Sequence, residues 1–162
     1  MILYTIMIYH SKQSVCKILY IGSIVVLCMS ASNSLLADIN ADEQFQLGMN
    51  YYNAGDYESA ISAFTEATVT APDVSSYHHW LGRSYGQLAR NSGMFKAFNL
   101  SQKTRQELER AVELDRDNTA ALVDLMKYYK RAPSFLGGGE EKAEDIRKRL
   151  QELGIQTEDV EG

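Results

Sequence analysis

The chain has 162 residues, with 16 Lys and Arg against 21 Asp and Glu, 45% apolar side chains, two Pro and two Cys, which is room for one ordinary domain and excludes a disordered or collagen-like polymer. The first 37 residues hold Lys12 and Lys17 and no acid, so the remaining 125 carry 14 basic and 21 acidic side chains, a balance that excludes a general basic surface for nucleic acid. Cys16 and Cys28 both lie in those 37 residues, which removes disulfides, thiolate catalysis and Cys-ligated zinc from the rest.

The chain opens on a leader. No charge occurs between Lys17 and Asp38, and the most apolar run, Ile18 to Met29, is about a dozen residues, short of the roughly 20 that span a bilayer. A basic stretch, a short apolar core and then small residues is the pattern of a secretory signal peptide. Residues 1–37 are therefore expected to be a signal peptide cut after Ser32 or Ala37, or an uncleaved anchor. The body is then exported, to the periplasm or cell envelope.

Asn40 with Glu43 has the spacing of a capping box, and Phe45, Leu47, Tyr51 and Tyr52 form a helical stripe that ends at Gly55. Asp56 is placed to cap a second helix carrying Ala60, Phe64 and Ala67 on one face, with Pro72 beyond its end. Gly48 and Ala60 are small where two helices must approach, and Leu47, Tyr51 and Phe64 fill the volume beside them. This first unit is a helical hairpin.

The hairpin recurs. Leu47, Gly48 and Tyr51 return 34 residues on as Leu81, Gly82 and Tyr85, while Ala67, Leu81 and Tyr85 return 44 residues on as Ala111, Leu125 and Tyr129. The second unit is thus lengthened by ten residues, and it is expected to turn at Asn91, Ser92 and Gly93 before a long helix from about Phe95 to Leu114. The third unit ends on a helix from Glu140 to Leu153 that carries Ala143, Ile146, Leu150 and Leu153 on one stripe, with Glu144–Lys148 and Asp145–Arg149 pairs outside. Such a helix, apolar inside and charged outside, reads as a terminal cap. Residues 155–162 read as an acidic, frayed tail.

In unit one, Leu47, Gly48, Tyr51, Ala60, Phe64 and Pro72 resemble the tetratricopeptide repeat signature, L-G-x2-Y, then A-x3-F, then P. The resemblance extends in weaker form over units 41–74, 75–118 and 119–154, with Met126 in place of the third unit's glycine and Trp80 two positions later than the family's tryptophan. It is to exported bacterial members of the family, and it implies an all-α fold: a right-handed superhelical stack of about three hairpins over 38–154, closed by a capping C-terminal helix.

The resemblance also implies a partner groove lined by the first helix of each hairpin. That groove selects Phe45, Met49, Tyr52 and Asn53 in unit one, His79, Arg83 and Gln87 in unit two, and Lys127, Lys130 and Arg131 in unit three, giving an apolar end and a basic end. The lysine and asparagine that some members use to clamp a peptide's terminal carboxylate are replaced by Phe45 and Met49, which disfavours a receptor of that kind. The expected partner is a protein or peptide with an acidic and an apolar part, with self-association as the alternative and a membrane only if the leader is retained.

Catalytic chemistry has little to stand on. His78 and His79 are adjacent and point about 100 degrees apart on a helix, so they do not grip one ion together. Gly137, Gly138 and Gly139 are followed by no Lys-Ser or Lys-Thr pair, and the sequence holds no HExxH motif. No catalytic residue, metal or cofactor is expected, and the chain reads as a noncatalytic adaptor or scaffold, or else as a structural, self-assembling envelope component. Phe135 and Leu136, ahead of the three glycines, are a second candidate contact, either folded onto the last hairpin or left as an apolar tip.

Overall fold

The computed structural model describes residues 40–156; the expected leader with its cleavage points and cysteines, and positions 157–162 of the tail, lie outside them. Among the described residues the chain is all helical. A helix α1 runs through residues 40–53, followed by α2 (Tyr57–Thr70), α3 (Ser75–Arg90), α4 (Met94–Leu114), α5 (Thr119–Arg131), a 3-10 turn (Ser134–Leu136) and α6 (Glu140–Glu152). They form three hairpins in sequence order. The second begins where α3 packs on α2, and the third where α5 packs on α4.

Local chemistry sets the ends of these helices. Asn40 is already helical, so it is not the cap that its spacing to Glu43 predicts. Gly55, at φ 79°, closes α1: the N–H of Asp56 reaches back to the Tyr51 carbonyl and that of Gly55 to Tyr52, both at 3.0 Å, a pairing that a left-handed residue permits. Asp56 then caps α2 by accepting the Ser59 N–H at 3.1 Å. A bond from the Ser59 hydroxyl, aided by that backbone bond, holds the Asp56 carboxyl below its ordinary value. Asn118 caps α5 by accepting the Ala121 N–H, and its Nδ2 donates to Ser75 Oγ, which donates to the Ala111 carbonyl at 2.8 Å. One polar clasp thereby joins the start of α3, the end of α4 and the start of α5.

Packing follows the repeat. Ala60, Phe64 and Leu81 form one buried cluster, with Met49, Tyr52, Trp80 and Tyr85 against it. Ala41, Ala67 and Tyr77 form a second, and Leu108, Leu122, Leu125, Met126, Tyr129, Ala143 and Leu150 a third. Gly48 is required by proximity, since a Cβ there would lie 2.6 Å from the Phe64 ring; Gly82 faces Leu108 in the same way at 3.1 Å. Ala111 is fully buried on α4. Leu47 and Tyr51 differ from the core role their repeat positions predict, being 40% and 36% exposed. Their counterparts, Leu81 with Tyr85 and Leu125 with Tyr129, join the clusters formed with the second helix of the preceding hairpin.

Two surface expectations change. On α6 the outer pairs are i,i+3, Arg147 with Glu144 and Lys148 with Asp145, while Arg149 bonds Glu152 and reaches across to Asp117. Ile155 is not frayed: its N–H bonds the Leu150 carbonyl at 2.9 Å behind left-handed Gly154, and its side chain packs on the last core.

The glycine run is a steric requirement at its centre. Gly137 is left-handed at φ 84°, and a Cβ on Gly138 would fall 1.8 Å from the Ala132 carbonyl oxygen, whereas Gly139 is extended with open space around it. Gly138→Ala should therefore lower stability by roughly 1–3 kcal/mol, while Gly139→Ala should leave it nearly unchanged; thermal unfolding of the two variants checks the difference.

Candidate functional site

A cleft of about 520 Å³ lies between α3, α4, α5 and the 3-10 turn. Arg83, Gly86, Gln87 and Arg90 enter it from α3, Ala97, Ser101, Thr104 and Leu108 from α4, and Asp124, Lys127, Tyr128 and Arg131 from α5, with Leu136 closing the turn side. The long α4 makes the cleft possible. Its 21 residues extend roughly 31 Å, and Ala97, Ser101, Thr104 and Leu108 along it form one wall of the space.

Charge in the cleft is lopsided. Asp124 is engaged by His79 Nε2 at 2.8 Å and Arg83 Nε at 3.2 Å. Among the described residues, Arg90, Lys127 and Arg131 meet no carboxylate within ion-pair distance. Behind them, Arg105 on α4 binds both oxygens of Glu109, and Glu109 accepts the Tyr129 hydroxyl at 2.7 Å. Burial first, and then that bond, push the Tyr129 phenol well above its ordinary value. The Tyr128 hydroxyl donates to the Leu136 carbonyl at 3.0 Å and so fixes the turn over the cleft.

The residues expected to line the groove divide. Arg83, Gln87, Lys127 and Arg131 come together in the cleft. Lys130 is exposed on α5 outside its lining. Phe45 is turned inward, stacked on Tyr77 at 4.8 Å and tilted against Phe64 at 5.5 Å. Met49 and Tyr52 join the same packing, and Tyr52 meets Trp80 edge-on at 5.1 Å. His79 is buried on Asp124, and Asn53 is exposed at the end of α1. The apolar end of the expected groove is thus spent largely on contacts within the chain, because the aromatic side chains of α1 fill the gap between the first two hairpins. Trp80, of uncertain role from its spacing, lies under Arg83 with the guanidinium carbon 4.5 Å from its ring centre, an attraction that holds Arg83 at the cleft's edge. Leu136 folds into the cleft lining while Phe135 stays outside.

Arg90, Ser101 and Thr104 are the residues that sequence reasoning missed. A signal was present: no carboxylate occurs between Asp73 and Glu107, or between Asp124 and Glu140, and the cleft is built chiefly from those two stretches.

A model of the tetratricopeptide repeat matches residues 41–74. That segment is a tetratricopeptide repeat. Its helices are α1 and α2, and the two hairpins that follow stack in the same helical-repeat manner. Among solved structures, the Arabidopsis OM64 TPR domain is similar in fold, with a TM-score of 0.50 at 18% identity over 72% of this chain and 98% of that one. The first TPR of Spaghetti (RPAP3) bound to the HSP90 peptide SRMEEVD aligns at 21% identity over the same shares, with a TM-score of 0.46. No curated protein matches the chain.

One titration beside the repeat junction is exposed to test. His78 Nδ1 lies 2.7 Å from Glu107 Oε2, and its Nε2 lies 2.9 Å from the Pro72 carbonyl. Both partners are acceptors, so only the imidazolium donates to both. The Glu107 bond accordingly raises the His78 pKa from 6.5 against the opposing effect of burial. A folded-state pKa above the unfolded one contributes stability that is complete below about 6.5 and is lost as pH rises through the folded value. Melting temperature should therefore fall more between pH 6 and 8.5 in the native chain than in Glu107→Gln, as measured by circular dichroism.

Proposed function

We propose that the protein is a noncatalytic interaction module, an exported adaptor or scaffold of the periplasm or cell envelope that holds an acidic segment of another protein in the α3–α4–α5 cleft. One observation carries this reading. Three cations without a carboxylate partner among the described residues, Arg90, Lys127 and Arg131, converge on a hollow with apolar footing from Ala97, Pro133 and Leu136, in a chain whose formal net charge is −5. Gln87, Ser101 and Thr104 line the same hollow and offer groups able to bond an extended backbone. Exposed ion pairs give only ~0.2–1 kcal/mol each, below the roughly 8 kcal/mol of a micromolar complex. The apolar footing therefore has to supply much of the affinity, and the cations set orientation and rate.

A second reading, self-association, is favoured by Leu47 and Tyr51. These exposed apolar residues occupy the positions by which later hairpins stack on their predecessors, so a second copy could stack there. Sedimentation decides it, since a concentration-independent monomer that Leu47→Ser leaves unchanged removes this reading.

The cleft is tested with an array of peptides bearing none to four acidic residues beside an apolar anchor. Binding should rise with acidic content and fall with salt. Replacing Arg90, Lys127 and Arg131 together by Ser should weaken it by between about threefold and a hundredfold, the sum of three exposed pairs. Equal binding by the native and substituted chains would sink the cleft as the site.

A further inference from the structure

Four large apolar side chains leave the core at one corner. Met94 and Phe95 open α4 at 82% and 87% exposure, and Phe135 on the 3-10 turn is 71% exposed. Phe98, one turn further along α4, stacks on Phe135 with ring centres 6.3 Å apart and planes at 13°. The lengthened second unit and the Pro133–Gly139 connection, the two departures from the 34-residue repeat, thus converge on a single knob. Large apolar side chains grouped in water in this way mark a contact surface.

The surroundings of the knob are cationic. The two acid-free stretches, from Asp73 to Glu107 and from Asp124 to Glu140, hold eight of the chain's 16 basic residues. Arg90, Lys96, Lys103 and Arg131 are exposed among them. Lys96 meets Glu58 at 2.9 Å, but both side chains are more than half exposed, and a pair of that kind exchanges readily for another anion. The first turn of α4 carries no acid and no side-chain cap, so the positive end of its dipole lies at the same corner.

We propose that this knob seats the domain on an anionic lipid surface, with Met94, Phe95 and Phe135 entering the interfacial layer and the surrounding cations meeting headgroup charge. A protein partner fits less well. Phe95 protrudes almost entirely into solvent, so a partner would have to bring its own pocket, whereas the interfacial layer accepts a protruding aromatic ring without matching its shape. Basic residues near an anionic surface then add attraction that salt weakens. No helix among the described residues is long and apolar enough to cross a membrane, so this contact is peripheral. It shares Arg90 and Arg131 with the cleft, whereas Lys96 and Lys103 lie outside the cleft lining and tell the two contacts apart.

The test puts a tryptophan at position 95 of the full chain, keeps Trp80, and reads quenching by brominated phosphatidylcholine in vesicles that are roughly three parts phosphatidylcholine to one part phosphatidylglycerol. The unsubstituted chain supplies the Trp80 background. Because the reporter sits on the knob, attachment through the leader alone does not register. Phe95→Trp emission should shift to the blue and fall about twofold beyond background, whereas Val69→Trp, at the far end of α2 from Glu58, should not change. Lys96→Glu with Lys103→Glu, or vesicles lacking phosphatidylglycerol, should remove the effect while far-UV circular dichroism stays the same. Quenching at position 95 no greater than at 69, or equal in neutral vesicles, overturns the proposal. Lipid-free self-association that Phe95→Ser abolishes overturns it as well, by assigning the knob to a second copy.

Discussion

The structure depends on how closely two helices approach within the first hairpin. Phe64 is fully buried because Gly48 has no side chain; an added Cβ would fall 2.6 Å from its ring. Interiors at crystal-like density absorb such an overlap only by moving a helix. With Phe64 seated, Leu81 and Trp80 have a surface to pack on, which places α3 against α2. The Gly82–Leu108 contact repeats the relation one hairpin later. Each hairpin leaves an apolar face that the next one covers, and α6 ends the series by burying Ala143 and Leu150 while turning charge outward.

The repeat and its interruptions do different physical work. Repeat positions make the buried clusters, and most of their side chains are small, aliphatic or aromatic. The added residues of the second unit and the loop after α5 instead build a hollow and a knob, and both stretches lack carboxylates entirely. A chain with a net formal charge of −5 thereby acquires a local positive face. Separation of sign on that scale directs encounter with anions more than it adds to the strength of any one contact.

Much of the fold could be read from the sequence because it is written in short-range spacing. Gly55 with Asp56, the break at Asn91–Gly93 and the α6 stripe are each local signals, and the helices begin and end beside them. Side-chain destinations were less legible, because they depend on what lies across the gap. Phe45 has the spacing of a groove residue, yet Tyr77 and Phe64 stand opposite it and draw it inward. His79 falls in the same category through Asp124, 45 residues away. Leu47 and Tyr51 show the reverse: their stripe marks them as core, but the hairpin that would cover them in an interior repeat has no counterpart among the described residues. Arg90 and Thr104 belong to the lengthened part of the second unit, where a 34-residue register provides no guide.

The clasp of Ser75, Asn118 and Ala111 has a mechanical consequence. It pins the beginnings of α3 and α5 to the end of α4, whereas Arg90, Arg131 and the start of α4 stand at the opposite ends of the same three helices. Because α3 and α4 are also joined at that far end through residues 91–93, those two helices form one jaw and α5 the other. Small rotations about the fastened end change the spacing of the guanidinium groups at the open end while leaving the hinge bonds intact, so an occupant can set its own aperture with little disturbance to the packed core.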